Sequence, residues 1–170
     1  MILKSRGYGK GRNFKKIGKN VVIEDTALIF EPEHIEIGNN VYIGHQTMLH
    51  GYYKNEFKIG SNVFISAGCN IYGAGGVEIQ DNVGIGPGVL ILGSPHDLTK
   101  DNGGPINQLP MRFDPIVIKE GSDIGAGAII IGGAVVGKGS QVGAGAMVKK
   151  KYDDYLVIAG VPAKLLRSRK

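Results

Sequence analysis

Aliphatic residues recur every six positions along most of the chain, and glycine, asparagine, aspartate or serine fill the positions between them. The series comprises Ile17, Ile23, Ile29, Ile37, Ile43, Leu49, Ile59, Ile65, Ile71, Ile79, Ile85, Ile91, Ile118, Ile124, Ile130, Val136, Val142 and Val148. A second small or β-branched residue stands four positions after nearly every member. Neither the 3.6-residue period of a helix nor the alternation of a plain strand explains this spacing. Each unit of six therefore predicts one short strand followed by a tight corner.

Glycine and asparagine suit these corners because they tolerate backbone conformations that branched residues avoid. Three units close a triangular coil of about 18 residues, and successive coils stack as parallel strands about 4.8 Å apart. The sequence thus predicts an all-β protein, a parallel β-helix of about six coils over residues 17–153. Inward aliphatic side chains would form its core.

Three segments fall outside the repeat. The interval from Ile79 to Ile118 is roughly twice one coil, which predicts a long loop, 97–115, leaving coil four; long loops on rigid scaffolds commonly carry function. Residues 1–16 carry six basic and no acidic side chains and predict an N-terminal arm. Residues 154–170 predict an extended segment and a short basic C-terminal helix, Ala163 to Arg169, that caps the last coil.

Composition narrows the class of protein. The net charge is only +5, and no basic helix or stacking motif accompanies it, so nucleic-acid binding is not expected. The single cysteine, Cys69, cannot form an internal disulfide and is consistent with a reducing compartment. No apolar run is typical of a signal peptide or a transmembrane segment. We expect a soluble, cytoplasmic protein.

Several motifs in residues 79–167 can be compared with a known family. They are His96 at the start of the loop, Leu109-Pro110-Met111-Arg112, Ile124-Gly125-Ala126, Val142-Gly143-Ala144-Gly145-Ala146 and Ala159-Gly160-Val161-Pro162-Ala163-Lys164. With these motifs the chain resembles the sugar and capsule O-acetyltransferases of the hexapeptide-repeat superfamily, which include maltose and galactoside acetyltransferases. The resemblance implies a left-handed coil, although general chirality rules favour right-handed crossovers. It also implies acetyl-CoA as donor, no metal, and a homotrimer with its active sites between protomers.

Acetyl transfer requires a base that takes a proton from the acceptor. A histidine with an ordinary pKa near 6.5 is mostly neutral at pH 7 and suits this role. The resemblance implies that His96 is this base, and Asp97 beside it is a candidate to orient the imidazole. We also predict acceptor contacts from Asp97, Arg112, His45 and His50.

The resemblance further implies where acetyl-CoA binds. The backbone amides of Ala126 and Ala144 correspond to those that hold the pantetheine arm, and Lys150, Lys164 and Arg167 correspond to the cations that hold its phosphates. Taken alone, the run 149–151 equally suits a solvated end of the coil. Asp123 stands where relatives commonly have tryptophan, so the wall of the groove should differ there.

Several functions remain open at this stage. O-acetylation of a sugar in surface-polysaccharide biosynthesis (capsule, O-antigen or exopolysaccharide) competes with N-acetylation of a nucleotide-linked amino sugar. The start of the coil at residue 17 resembles the shorter enzymes of surface-polysaccharide pathways, and this resemblance implies a larger or nucleotide-linked acceptor. The segment 43–51, with His45 and His50, also resembles γ-class carbonic anhydrases, which hold zinc with three histidines. A catalytically inactive structural trimer is the remaining alternative.

Overall fold

A computed structural model describes residues 13–101 and 103–170 of the chain. These residues form twenty short strands, and each of the six complete coils contributes one strand to each side of a triangular prism. The strands are β1 Lys16–Ile17, β2 Val22–Ile23, β3 Leu28–Phe30, β4 Ile35–Ile37, β5 Tyr42–Ile43, β6 Met48–His50, β7 Phe57–Ile59, β8 Phe64–Ile65, β9 Asn70–Tyr72, β10 Val77–Ile79, β11 Gly84–Ile85, β12 Leu90–Leu92, β13 Ile116–Ile118, β14 Asp123–Ile124, β15 Ile129–Ile131, β16 Val135–Val136, β17 Gln141–Val142, β18 Met147–Val148, β19 Leu156–Ala159 and β20 Lys164–Ser168.

Three sheets form the sides of the prism. Sheet A has the order β1-β4-β7-β10-β13-β16, sheet B the order β2-β5-β8-β11-β14-β17-β19-β20, and sheet C the order β3-β6-β9-β12-β15-β18. The chain passes from A to B to C in every coil, and we call the three edges of the prism AB, BC and CA. This is the parallel β-helix that the repeat predicts, with the left hand that the resemblance implies. Six coils are complete, and Lys151 and β19 begin a seventh beside β16 and β17.

The six-residue series forms the core. Every member from Ile23 to Val148 is buried, and Ile17 is partly buried and packs against this core. Each buried aliphatic side chain contributes about 1.5–3 kcal/mol relative to an exposed one. Stacking of like residues from coil to coil thus explains why the repeat specifies the fold.

Asparagines line the AB edge in the first four coils. Asn20, Asn40, Asn62 and Asn82 all have positive φ, between 55° and 60°. Their side-chain amides form a ladder, with donor–acceptor distances of 2.9, 3.0 and 3.1 Å. Asparagine therefore meets two needs at this corner, since it tolerates the left-handed conformation and links successive coils.

The outer faces of the sheets differ in character. On sheet A, Lys16, Glu36, Lys58 and Glu78 lie opposite one another in register, so that charge alternates in sign from coil to coil. Such cross-strand pairs stabilise a sheet that faces water. Sheet C presents mostly apolar side chains outward.

The predicted C-terminal helix is wrong. Lys164–Ser168 is a strand, β20, which pairs antiparallel with β19. The open edge of β19 offers unpaired backbone groups, and a strand satisfies them where a helix would not. The predicted N-terminal arm, 1–16, lies mostly outside the described residues; at its end Lys15 forms a 2.8 Å ion pair with Glu36.

Among the described residues there is no helix with the length and apolar character that a membrane crossing requires.

Candidate active site

The long loop leaves sheet C in coil four at the CA edge. Its two ends form a short antiparallel ribbon, in which 93–97 pairs with 110–114 through three backbone hydrogen bonds of 2.8 Å. His96 lies directly opposite Met111 in this ribbon. The ribbon thereby holds the predicted base at a fixed place beside the coil.

His96 is half-buried, and its Nδ1 atom lies 3.1 Å from the carbonyl oxygen of Leu109. A carbonyl oxygen only accepts hydrogen bonds, so this contact assigns the proton of the neutral ring to Nδ1. Nε2 then carries a lone pair. This is the tautomer that a general base needs.

Asp97 does not orient the imidazole. Its carboxylate accepts hydrogen bonds from the backbone amide of Thr99 at 3.1 Å and from the Thr99 hydroxyl at 2.7 Å. These bonds lower the pKa of Asp97, which stays ionised at neutral pH. The Leu109 carbonyl orients His96 instead, and a backbone contact of this kind has no signature in the sequence.

Arg112 lies in the same ribbon as His96. Its Nε atom forms a 2.6 Å ion pair with Asp114. Side chains alternate between the two faces of a ribbon, and Arg112 lies opposite Pro95, so its side chain leaves from the face that His96 does not use. The structure therefore places this predicted acceptor contact beside the base but not on the same face.

The structure does not bring the three histidines of the sequence analysis together. His45 lies at the BC edge of coil two, where its Nδ1 is 2.9 Å from the Thr26 hydroxyl. His50 lies at the CA edge, stacked between Phe30 and Tyr72. It is two coils below Leu92, after which the His96 loop begins.

The carbonic anhydrase alternative requires three histidines on one metal. In residues 13–101 and 103–170 the candidate metal-binding group is Glu24, Asp25 and His45, with one histidine and two carboxylates. Its His45 approaches Glu24 through Nε2 and Asp25 through Nδ1, so the two carboxylates lie at different ring nitrogens. This arrangement does not fit the zinc site of that class.

Ala126 and Ala144 occupy equivalent corners of coils five and six at the BC edge. The Ala126 carbonyl accepts a hydrogen bond from Gly145 at 2.8 Å, which stacks the two corners. Within the described part of the chain, neither alanine donates its own N–H to another residue. Both corners reach the surface, so two amides stand ready for the carbonyl groups of a ligand.

The three predicted phosphate-binding cations lie apart. Lys164 pairs with Ala159 in the seventh coil, near the Ala126–Ala144 corners, and Arg167 lies further along β20. Lys150 lies after β18 toward the CA edge, where its Nζ is 5.2 Å from the ring centroid of Tyr152. The cations are exposed.

The predicted site residues thus form two half-sites on two edges of one protomer. His96 and Lys150 lie at the CA edge, and Ala126, Ala144 and Lys164 lie at the BC edge. Sheet C separates these edges by about 20 Å, the length of six extended residues.

Comparison with solved structures assigns the chain to a family. It is 33% identical to AntD, an N-acyltransferase from Bacillus cereus solved as a variant with dTDP and coenzyme A, over 92% of this chain and 85% of that one, with a TM-score of 0.81. AntD with dTDP and 3-hydroxybutyryl-CoA matches at 32% identity, over 92% of this chain and 84% of that one, with a TM-score of 0.81. The chain belongs to the hexapeptide-repeat acyltransferase superfamily.

A further member is a hexapeptide-repeat-containing acetyltransferase of Vibrio cholerae complexed with acetyl-CoA. At 23% identity, over 85% of this chain and 72% of that one, with a TM-score of 0.62, it supports the fold alone. No family model and no curated protein sequence matches this hexapeptide-repeat chain.

Proposed function

We propose that this hexapeptide-repeat protein transfers an acyl group, acetyl in the first instance, from coenzyme A to a sugar. The observation that chiefly supports the proposal is the His96 side chain, whose Nε2 is left to accept a proton. The 33% identity to AntD, which was solved with coenzyme A, supports the choice of acyl donor. We place the reaction in the cytoplasm, which suits a chain with one buried, unpaired cysteine.

The chemistry follows from the tautomer of His96. A hydroxyl of the sugar attacks the thioester carbon while Nε2 of His96 takes its proton. The carbon–sulfur bond of the resulting intermediate then breaks, and the thiolate receives the proton that His96 collected. The Leu109 carbonyl holds Nδ1–H throughout and stabilises the transient imidazolium.

The acceptor class has two candidates. The motifs of the sequence analysis favour a hydroxyl on a sugar of a surface polysaccharide. A second candidate is an amino sugar linked to a nucleotide, because AntD with dTDP-4-amino-4,6-dideoxyglucose and coenzyme A matches this chain at 30% identity and a TM-score of 0.80. His96 serves either reaction.

The separation of the two half-sites supports a homotrimer. One ligand reaches both edges if the CA edge of one protomer lies beside the BC edge of the next, and a threefold ring repeats this contact three times. Sheet C, between these edges, carries outward side chains suited to such packing: Leu28, Phe30, Met48, Tyr72, Leu90, Leu92, Ile129, Ile131 and Met147. Charged sheet A would face water.

Titration calorimetry with acetyl-CoA tests the proposal. We expect saturable binding near one per chain for the wild type and for His96→Ala, since the predicted pantetheine contacts at Ala126 and Ala144 lie on the other edge. With a hydroxyl acceptor, His96→Ala should lower thiol release by about 10²- to 10⁴-fold, the usual contribution of a general base. His34→Ala in coil one is the matched control and should retain full turnover.

Screening acceptors separates the two candidates. If a nucleotide-linked amino sugar is the acceptor, the His96→Ala defect should be milder, because an amine needs the base mainly to collect a proton from the intermediate. Absence of acetyl-CoA binding at millimolar concentration would refute acyl transfer from coenzyme A.

A further inference from the structure

An aromatic cluster with one lysine projects from the CA edge, outside the site described above. We call it the Tyr–Lys cluster; it contains Tyr52, Tyr53 and Lys54 from the corner of coil two and Phe113 from the long loop. The ring centroid of Tyr52 lies 4.7 Å from that of Tyr53 and 5.7 Å from that of Phe113. The Nζ atom of Lys54 lies 5.6 Å from the Tyr53 centroid and 5.2 Å from the Phe113 centroid.

A cleft of about 420 Å³ lies beside this cluster. Asn55 and Glu56 of coil two form one wall, Phe113 of coil four forms the other, and Gly75 and Gly76 of coil three line it between them. The cleft exists because coil three turns its corner with glycines, while the coils on either side carry insertions. Tyr53, two residues before Asn55 in the chain, remains 63% exposed.

The cluster is continuous with the surface that holds His96. Met111 lies opposite His96 in the ribbon, and Phe113 follows two residues later, so the pleat sends these three side chains from the same face. Met111 and Phe113 are about 7 Å apart along the strand. A ligand that lies along this face can therefore contact both His96 and the cluster.

The Lys54 ammonium, rather than the cleft lined by Glu56, Lys58 and Glu78, favours a ligand with an anionic group. Glu56 forms a 2.6 Å ion pair with Lys58, and Arg112 forms one with Asp114. Lys54, by contrast, forms no ion pair within residues 13–101 and 103–170, and its ammonium group lies over the Tyr53 and Phe113 rings. Contact with the rings holds its ammonium group in place with hydrogen-bond donors still available.

We propose that the Tyr–Lys cluster binds the nucleoside diphosphate part of the acceptor, with the base stacked on Tyr53 and Phe113 and the diphosphate bound by Lys54. The exposed Tyr53 ring and the half-buried Phe113 ring, beside an unpaired cation, match a planar base joined to phosphates. The inference deepens the proposed function and rests on it, since it assigns a nucleotide-linked sugar to the acceptor. The sugar would then extend along the ribbon to His96.

Binding of dTDP and UDP, without any sugar, provides the test. The chain has no tryptophan and seven tyrosines, two of them in the cluster, so the loss of a tyrosine signal in Tyr53→Ala identifies the part that the cluster contributes. Calorimetry gives the dissociation constant. Tyr53→Ala should weaken binding by about tenfold or more, the usual effect of losing one stacked ring. Tyr53→Phe keeps the ring and should bind as wild type. Phe64→Ala, which removes an exposed ring from sheet B, is the control for nonspecific loss and should also bind normally.

Lys54→Gln tests the charge independently of the rings. It should weaken dTDP binding and flatten its salt dependence, because one phosphate contact is lost. Inorganic pyrophosphate should compete with dTDP in the wild type and less well in Lys54→Gln. Thymidine alone should bind weakly and lose its remaining affinity in Tyr53→Ala.

The outcomes separate this inference from the proposed function. If Tyr53→Ala and Lys54→Gln bind dTDP and UDP as the wild type does, or if the wild type binds neither, the inference is wrong while acetyl-CoA binding leaves the acyltransferase proposal standing. Loss of acetyl-CoA binding in the wild type would instead refute the function on which the inference rests.

Discussion

His50 shows how the coil surface sets the protonation of a single side chain. Its ring stacks on Phe30 at 4.2 Å and on Tyr72 at 4.9 Å, with interplanar angles of 8° and 10°. Burial between these rings lowers the pKa of His50 below its ordinary value, because the charged form loses water. The predicted acceptor contact is therefore a neutral aromatic ring near pH 7.

Stability should consequently fall in mild acid. A histidine whose pKa is lowered by folding binds more protons when unfolded, so the free energy of unfolding decreases as the pH falls below about 6.5. We expect Tm to decrease between pH 7.5 and 5.5, and His50→Phe, which keeps the stack without a titrating group, to show a smaller decrease. Scanning calorimetry across this range is the measurement. Equal pH slopes for the two proteins would contradict the assignment.

The candidate site could be predicted from the sequence only where a side chain carries the chemistry. His96 at the root of the loop and the small corners at Ala126 and Ala144 were identifiable from motifs. The Leu109 carbonyl was not, since any residue supplies a carbonyl. The engagement of Asp97 with Thr99 likewise depends on a turn whose geometry the residue types do not specify.

Among the elements, β14 and its neighbours show what one inward position contributes. Ile124 is fully buried, between Ile85 of coil four and Val142 of coil six. Neither Ile85 nor Val142 offers a polar partner, so an ionised side chain at position 124 would be strongly disfavoured. The stacked core couples each coil to the next, so damage at one position spreads to its neighbours.

We expect Ile124→Asp to yield insoluble or unfolded protein. Ile124→Val should fold and lose about 0.5–1.5 kcal/mol, since it removes one methylene from a packed site. Asp123→Asn, one residue away on the outward face, is the matched surface control and should melt with the wild type. Circular dichroism melting distinguishes the three, and normal melting of Ile124→Asp would refute the inward assignment.

The elements also show where periodicity stops being informative. Within the repeat, position alone decides which face a residue occupies, and the strands follow the six-residue series. Beyond it, Lys164 to Ser168 is compatible with a helix or a strand on local grounds. The free edge of β19 favours a strand, because a strand pairs with its backbone groups. The residue types of the segment do not indicate that such an edge lies beside it.

At the scale of the whole molecule, function divides among the edges and sides of the prism. The insertions leave at the CA edge, the free amides lie at the BC edge, and sheet C between them is apolar outward. Because neither edge holds all the predicted groups, we expect activity to require assembly.

Light scattering should give a trimer for the wild type. Ile129, which is 38% exposed on the outward face of β15 in sheet C, should not tolerate a charge in that interface, so Ile129→Lys should shift the mass toward a monomer. Val117→Lys makes the same kind of change on the outer face of sheet A and should remain trimeric. A wild-type monomer, or a trimeric Ile129→Lys, would contradict the proposed arrangement.

The outward charges on sheet A alternate in sign from one coil to the next, so the number of coils removed decides whether the new neighbours attract or repel. A solenoid can in principle lose a whole coil, after which the coils on either side pair with each other. Removing coil two would place Lys16 opposite Lys58, two like charges on neighbouring strands. Removing coils two and three together would set Lys16 against Glu78 and restore attraction. Changes in length of the N-terminal half should therefore be tolerated better in pairs of coils than singly.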